Sequence, residues 1–140
     1  MAVRPQPRLF TVEEYDRMVE AGILGENERV ELVSGGIVQM TAIGSRQAAC
    51  VNRLNALFSK HVSDRAIIQV QNPVRASELS EPEPDLGLLR PRSDYYAAAH
   101  PGAGDVFLLI EVRTHPWTTI AGSKLGSMPP LACQSYGLWT

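Results

Sequence analysis

The sequence predicts a single α/β (α+β) domain in which a mixed β-sheet is flanked by helices and preceded by a short helix and a β-hairpin. Three observations carry this. Residues 45–62 place Val51, Leu54, Leu57, Phe58 and Val62 at three- and four-residue steps, the period of a helix with one apolar face. Residues 28–34, "ERVELVS", alternate polar and apolar side chains and run into a glycine pair, which marks a hairpin. Residues 106–112, "VFLLIEV", are apolar except for Glu111, as suits a strand covered on both faces.

Taken in order, "FTVEEYDRMVEAG" opens with Thr11 as N-cap and Glu14 three residues on, a capping box, with Phe10 and Tyr15 placed as a hydrophobic staple. Gly22 and Gly25 end that helix, and Gly35 and Gly36 turn the following strand into "IVQMT". Ser45 is the expected cap of the long helix. Residues 66–74, "AIIQVQNPV", read as a strand whose Pro73 suits an edge or an end. "DLGLL" makes a short strand, and residues 94–100 a brief helical or turn element closed by Pro101 and Gly102.

The chain has 140 residues, 44% of them hydrophobic and 20% charged, which describes one globular domain with a single core. Cys50 and Cys133 match no metal or redox spacing and are expected as reduced thiols in a cytoplasmic protein. No apolar run approaches the roughly 20 residues that span a bilayer, so no membrane association is expected. A net charge of −2 gives no global pull toward nucleic acid, so a binder of that kind needs a local basic patch or a metal.

Two carboxylates stand out. Asp85 opens one strand and Glu111 sits near the end of another. If those strands are neighbours, both side chains converge on one edge of the sheet. An Asp after a proline is often only a turn residue, whereas an acid inside a strand-forming apolar run is costly if it is desolvated without a partner. Two facing carboxylates repel unless a cation lies between them. Mg²⁺ suits that arrangement, since it takes one or two protein carboxylates and keeps positions open for water and phosphate. Such an ion activates water and stabilises charge on phosphorus, and a lysine would be the missing third part.

The blocks "FTVEEYDRMVEAG", "ERVELVSGGIVQM", "GSRQAACVNRLNALF", "VQNPVR", "SEPEPDLGLLRPR" and "VFLLIEV" follow one another as in the Uma-two restriction-endonuclease family, a branch of the PD-(D/E)XK nuclease superfamily, which the chain resembles over about residues 9 to 112. The resemblance implies a restriction-endonuclease-like core and Mg²⁺-dependent hydrolysis of DNA phosphodiester bonds, with Asp85 and Glu111 as metal-binding, catalytic acids. It also implies that Gln71 lines the substrate site. Gln47 stands where family members often carry His, so no substrate contact is expected there. Nucleases of this kind often work as homodimers.

The tail departs from the family. In relatives the strand ending at Glu-Val runs into a helix that carries the lysine, and then into a last strand. Residues 113–140 show neither period, and Gly122, Gly126, Pro129, Pro130 and Gly137 break any long element. One base lost after the Val112 codon explains this: Trp117-Thr118 and Trp139-Thr140 then encode Asp, Met128-Pro129 encodes Ala, and the tail can be read as a family-like ending. The expectation is a single truncated domain over 1–140, with residues 1–112 as the family-like body, an aberrant frameshifted tail at 113–140, and the C-terminal helix and last strand lost. Lys124 occupies the index of the lost lysine and is the remaining candidate for its catalytic role. Uncovered apolar surface on "VFLLIEV" should leave the domain marginal, association-prone and weakly active.

His61, at the end of the long helix, suits its dipole, while His100 and His115 sit in turn-like stretches. Arg90 and Arg92 could touch phosphates or line a solvated loop. Glu31 shares a strand face with Arg29 and Val33 and reads as surface unless it faces the acids. The competing reading is a non-catalytic nucleic-acid-binding or interaction module, or a decayed reading frame, that keeps the nuclease fold.

Overall fold

The computed structural model describes residues 4–113, and the tail with Lys124 and His115 lies outside them. Two layers of contact organise the chain. The first is an N-terminal unit of helix α1 (Val12–Glu20) and the antiparallel hairpin β1 (Val30–Val33) and β2 (Gly36–Gln39). The second is helix α2 (Ser45–Val62) laid against an antiparallel sheet of order β3-β4-β5, formed by β3 (Ile67–Val70), β4 (Leu86–Leu89) and β5 (Val106–Ile110). This α+β arrangement has the fold class expected of a restriction-endonuclease-like domain.

Helix α1 begins as its sequence dictates: the Glu14 N–H donates to Thr11 Oγ1 at 3.2 Å and the Thr11 N–H donates to Glu14 Oε2 at 3.4 Å. Val12 and Tyr15 then bury against Leu32, with Phe10, Leu24, Val30 and Ile37 around them. The Tyr15 hydroxyl donates to the Val30 carbonyl at 3.1 Å, so burial of the ring leaves no phenol unsatisfied and holds α1 to the hairpin. The hairpin turn is Ser34-Gly35 rather than the glycine pair, because Val33 pairs with Gly36 and both turn residues have positive φ, 48° and 77°. That is the primed turn whose twist matches its strands.

Helix α2 keeps the predicted span but starts one residue differently, with Gly44 as N-cap and Ser45 as first helical residue. Its Cys50 and Val51 join Leu86, Leu88, Ile110 and Val112 in the main core, flanked by Leu54, Phe58 and Val62 from the same face. Cys50, expected as a reduced thiol, is instead disulfide-bonded. Strand β4 is central and buried along its whole length. Strand β5 departs from expectation, since Phe107 is 52% exposed and the strand is not covered on both faces. Residues 93–96 form turns, with Tyr95 and Tyr96 at positive φ.

The two layers are stitched through residues 78–83. The Val12 N–H donates to Glu78 O at 2.8 Å, the Gly35 N–H to Leu79 O at 2.7 Å and the Glu81 N–H to Leu32 O at 2.8 Å. The Ser34 N–H donates to Ser80 Oγ at 2.8 Å. This seam leads directly into Pro84-Asp85, so the hairpin and the first acid of the proposed pair are positioned by one set of backbone bonds.

Candidate functional site

Strands β4 and β5 are neighbours, with Leu86 paired to Ile110, so Asp85 and Glu111 follow at the same end of the sheet. Asp85 is 5% exposed. Its carboxylate accepts from the Val112 N–H at 2.8 Å, from Gln47 Nε2 at 3.2 Å on each oxygen, and from Gln71 Nε2 at 3.4 Å. Both amides must present their NH₂ group, because a carboxylate only accepts. Gln71 reaches it because β3 ends there: the Gln71 N–H still pairs with Asp85 O at 3.2 Å, and its own φ of 52° turns the chain out of the ladder.

Glu111 is partly buried, and its carboxyl is pushed up to about 7, first by burial and next by the charges of Asp85 and Glu31. Glu83 is also raised, by burial first, with the Arg29 charge opposing and the Glu31 charge adding. These residues share a cavity of about 220 Å³, walled by Arg29, Glu31 and Gln39 from the hairpin and by Gln47, Gln71 and the three acids Glu83, Asp85 and Glu111.

Glu31 thus faces the acids rather than solvent. Its Oε2 accepts the Glu83 N–H at 3.0 Å, which fixes the carboxylate beside the cavity. Strand alternation placed Glu31 and Arg29 on one face, but only the docking of the hairpin on residues 78–83 shows where that face looks. Gln47, for which no role was expected, sits astride the Asp85 carboxylate. Arg90 and Arg92 lie beyond the opposite end of β4: Arg90 donates to Gly104 O at 2.9 Å and stacks over Phe107, and Arg92 pairs with Asp94 at 3.1 Å. A larger cavity of about 600 Å³ lies at that far end, lined by Ser59, Asp64, Arg92 and Tyr95, and it gathers no facing carboxylates. His61 Nδ1 lies 2.8 Å from Leu57 O in the last turn of α2, and serves the helix end.

Among the described residues no group of three or more His, Cys, Asp or Glu is drawn tightly enough to enclose a metal by itself. The pair Asp85 and Glu111 still fits a hard divalent cation, because both offer carboxylate oxygens in a cavity shared with Glu31 and Glu83, and the charge of Asp85 adds to burial in raising Glu111. No helix among the described residues is long and apolar enough to cross a membrane.

Comparison with known proteins gives one family. The Uma2 family, described as "Putative restriction endonuclease", matches residues 12–127, which runs on past Val112. No curated protein matches.

Proposed function

Because the chain belongs to the Uma2 family, we propose that it is an endonuclease that hydrolyses DNA phosphodiester bonds with Mg²⁺, through Asp85 and Glu111. The observation that carries this reading is the meeting of those two acids at one end of β4 and β5, with the Glu111 carboxyl raised to about 7 by burial and by Asp85. Mg²⁺ held by Asp85 and Glu111 would supply Lewis-acid activation of water and neutralise charge on the phosphate.

The chain's own groups prepare that centre. The Val112 N–H and the Gln47 and Gln71 amides hold the Asp85 carboxylate in one orientation inside the fold. Glu111 would meet the cation as a carboxylate, so its raised carboxyl makes metal uptake compete with a proton and favours it as pH rises. Glu31 adds negative charge that favours a cation at this spot. Gln71 and Gln47 line the path by which a phosphodiester reaches the acids.

We extend the proposal to the whole chain as one restriction-endonuclease-like domain of the cytoplasm, where its substrate lies, acting as a two-fold pair and impaired by an out-of-frame ending after Val112. Lys124 then stands in for the family lysine weakly at best. A second reading, a non-catalytic module that keeps the fold, is favoured by one observation: the Asp85 carboxylate is already satisfied by three donor groups. Nicking of supercoiled plasmid with Mg²⁺ decides between them, using this chain, a frame-restored chain and Asp85→Asn. The endonuclease reading requires the restored chain to nick faster than the Asp85→Asn control, and equal rates leave the non-catalytic module.

A further inference from the structure

The cavity is strongly acidic, and a phosphodiester brings one more negative charge to it. Glu31, Glu83, Asp85 and Glu111 all line it, and among its described lining residues Arg29 is the one basic side chain. Arg29 is held by its backbone, whose carbonyl accepts the Met40 N–H at 2.8 Å and extends the hairpin ladder one step past Val30 and Gln39. It lies two residues before Glu31, so both project from the same face of the strand.

Arg29 is also uncommitted. The ion pairs among the described residues are Arg8–Glu14, Arg75–Glu13 and Arg92–Asp94, and Arg29 enters none of them. It is exposed, although its charge is felt at Glu83, where it opposes the rise caused by burial. A guanidinium that lines an acidic cavity without closing on its carboxylates keeps its planar fork for an incoming group, and that fork matches phosphate.

We propose that Arg29 grips the DNA phosphate at this site, so that the N-terminal hairpin supplies a cation beside the acids Asp85 and Glu111 at the end of the sheet. The assignment rests on the endonuclease reading and names the residue that holds the substrate backbone. It also gives a physical reason for an N-terminal unit built in front of the core: the unit carries a guanidinium to a cavity that four acids also line.

The test is binding of a fluorescein-labelled 20-base-pair duplex, read by anisotropy between about 50 and 200 mM salt with Mg²⁺ present. It uses the full chain in an Asp85→Asn background, so that cleavage does not intervene. Adding Arg29→Met should weaken binding about tenfold, as expected for a lost charged hydrogen bond. It should also flatten the salt slope by about 0.9, one phosphate contact. Arg29→Lys should restore the slope but only part of the affinity, because a point charge replaces a fork. Unchanged affinity and slope in Arg29→Met overturn the assignment while leaving the endonuclease reading intact. If neither the Asp85→Asn parent nor the wild-type chain with Ca²⁺ in place of Mg²⁺ binds the duplex, the endonuclease reading falls and takes Arg29 with it. Matched circular dichroism melts of parent and variant, expected to coincide because Arg29 is exposed, separate lost contact from lost fold.

Discussion

The Asp85 carboxylate accepts the backbone N–H of Val112 at 2.8 Å, a bond that ties the mouth of β4 to the end of β5. Removing the carboxylate orphans a buried N–H and two side-chain amides, each costly to leave unmade. Asp85→Ala should therefore destabilise the chain by about 1–3 kcal/mol in urea unfolding. Asp85→Asn, which retains an acceptor, should lose less stability yet abolish Mg²⁺-dependent nicking. Full nicking by Asp85→Asn would remove this acid from the chemistry.

Glu111 makes stability depend on pH in a defined direction. Its folded carboxyl is raised from 4.5 to about 7, so the folded state holds a proton that the unfolded state has released across this window. Stability is then fully present below about pH 4.5 and declines as pH rises toward 7. Glu111→Gln, which carries no charge at any pH, should flatten that decline and raise the melting temperature near neutrality. An equal decline in wild type and Glu111→Gln would assign the pH dependence elsewhere.

Glu31 contributes to that raised value through its charge. Glu31→Gln keeps an oxygen for the Glu83 N–H while removing the charge, so the Glu111 carboxyl should titrate lower in a carbon-13 NMR experiment. The hairpin should stay docked. A Glu111 titration that does not move would show that Glu31 is electrically remote from it.

Mg²⁺ should stabilise the folded chain because it binds the paired acids there and not in the unfolded state. At a concentration of about 100 times its Kd the gain is about 2.7 kcal/mol, visible as a higher melting temperature. Asp85→Asn should lose most of that gain. A melting temperature indifferent to Mg²⁺ in wild type would argue against metal at this pair.

Gly35 lies at φ 77°, and a Cβ there would stand 2.6 Å from Leu9 Cβ. Gly35→Ala should therefore cost more than 1 kcal/mol, from strained backbone and from the contact together. The loss should fall on the N-terminal unit and, through Glu31, loosen one wall of the cavity. Hydrogen exchange of the hairpin amides would report it, and unaltered protection would show that Leu9 yields freely.

Much of this was legible in sequence because the signals were local. The capping box of Thr11 and Glu14, the apolar stripe of α2, and the strands around Asp85 and before Glu111 all express short-range periods and propensities. The pairing of β4 with β5 was only conditional in the sequence, since neighbour relations depend on non-local docking. The same limit hid Glu31 and Arg29: alternation set their common face, while the direction of that face depends on backbone bonds to residues 78–83. The exposure of Phe107 was missed because an apolar run reports strand propensity and not what covers it. Gln47 was set aside as a departure from His, yet its amide can donate to a carboxylate as an imidazole N–H does.

The seam between Glu31 and Glu83 joins positions 52 residues apart in the chain. During synthesis the hairpin leaves the ribosome long before its docking edge exists, and closing so large a loop is entropically slow. The charged cavity therefore depends on a contact of high sequence separation. Until that contact closes, the acids and the arginine that line the cavity sit on separate pieces of chain.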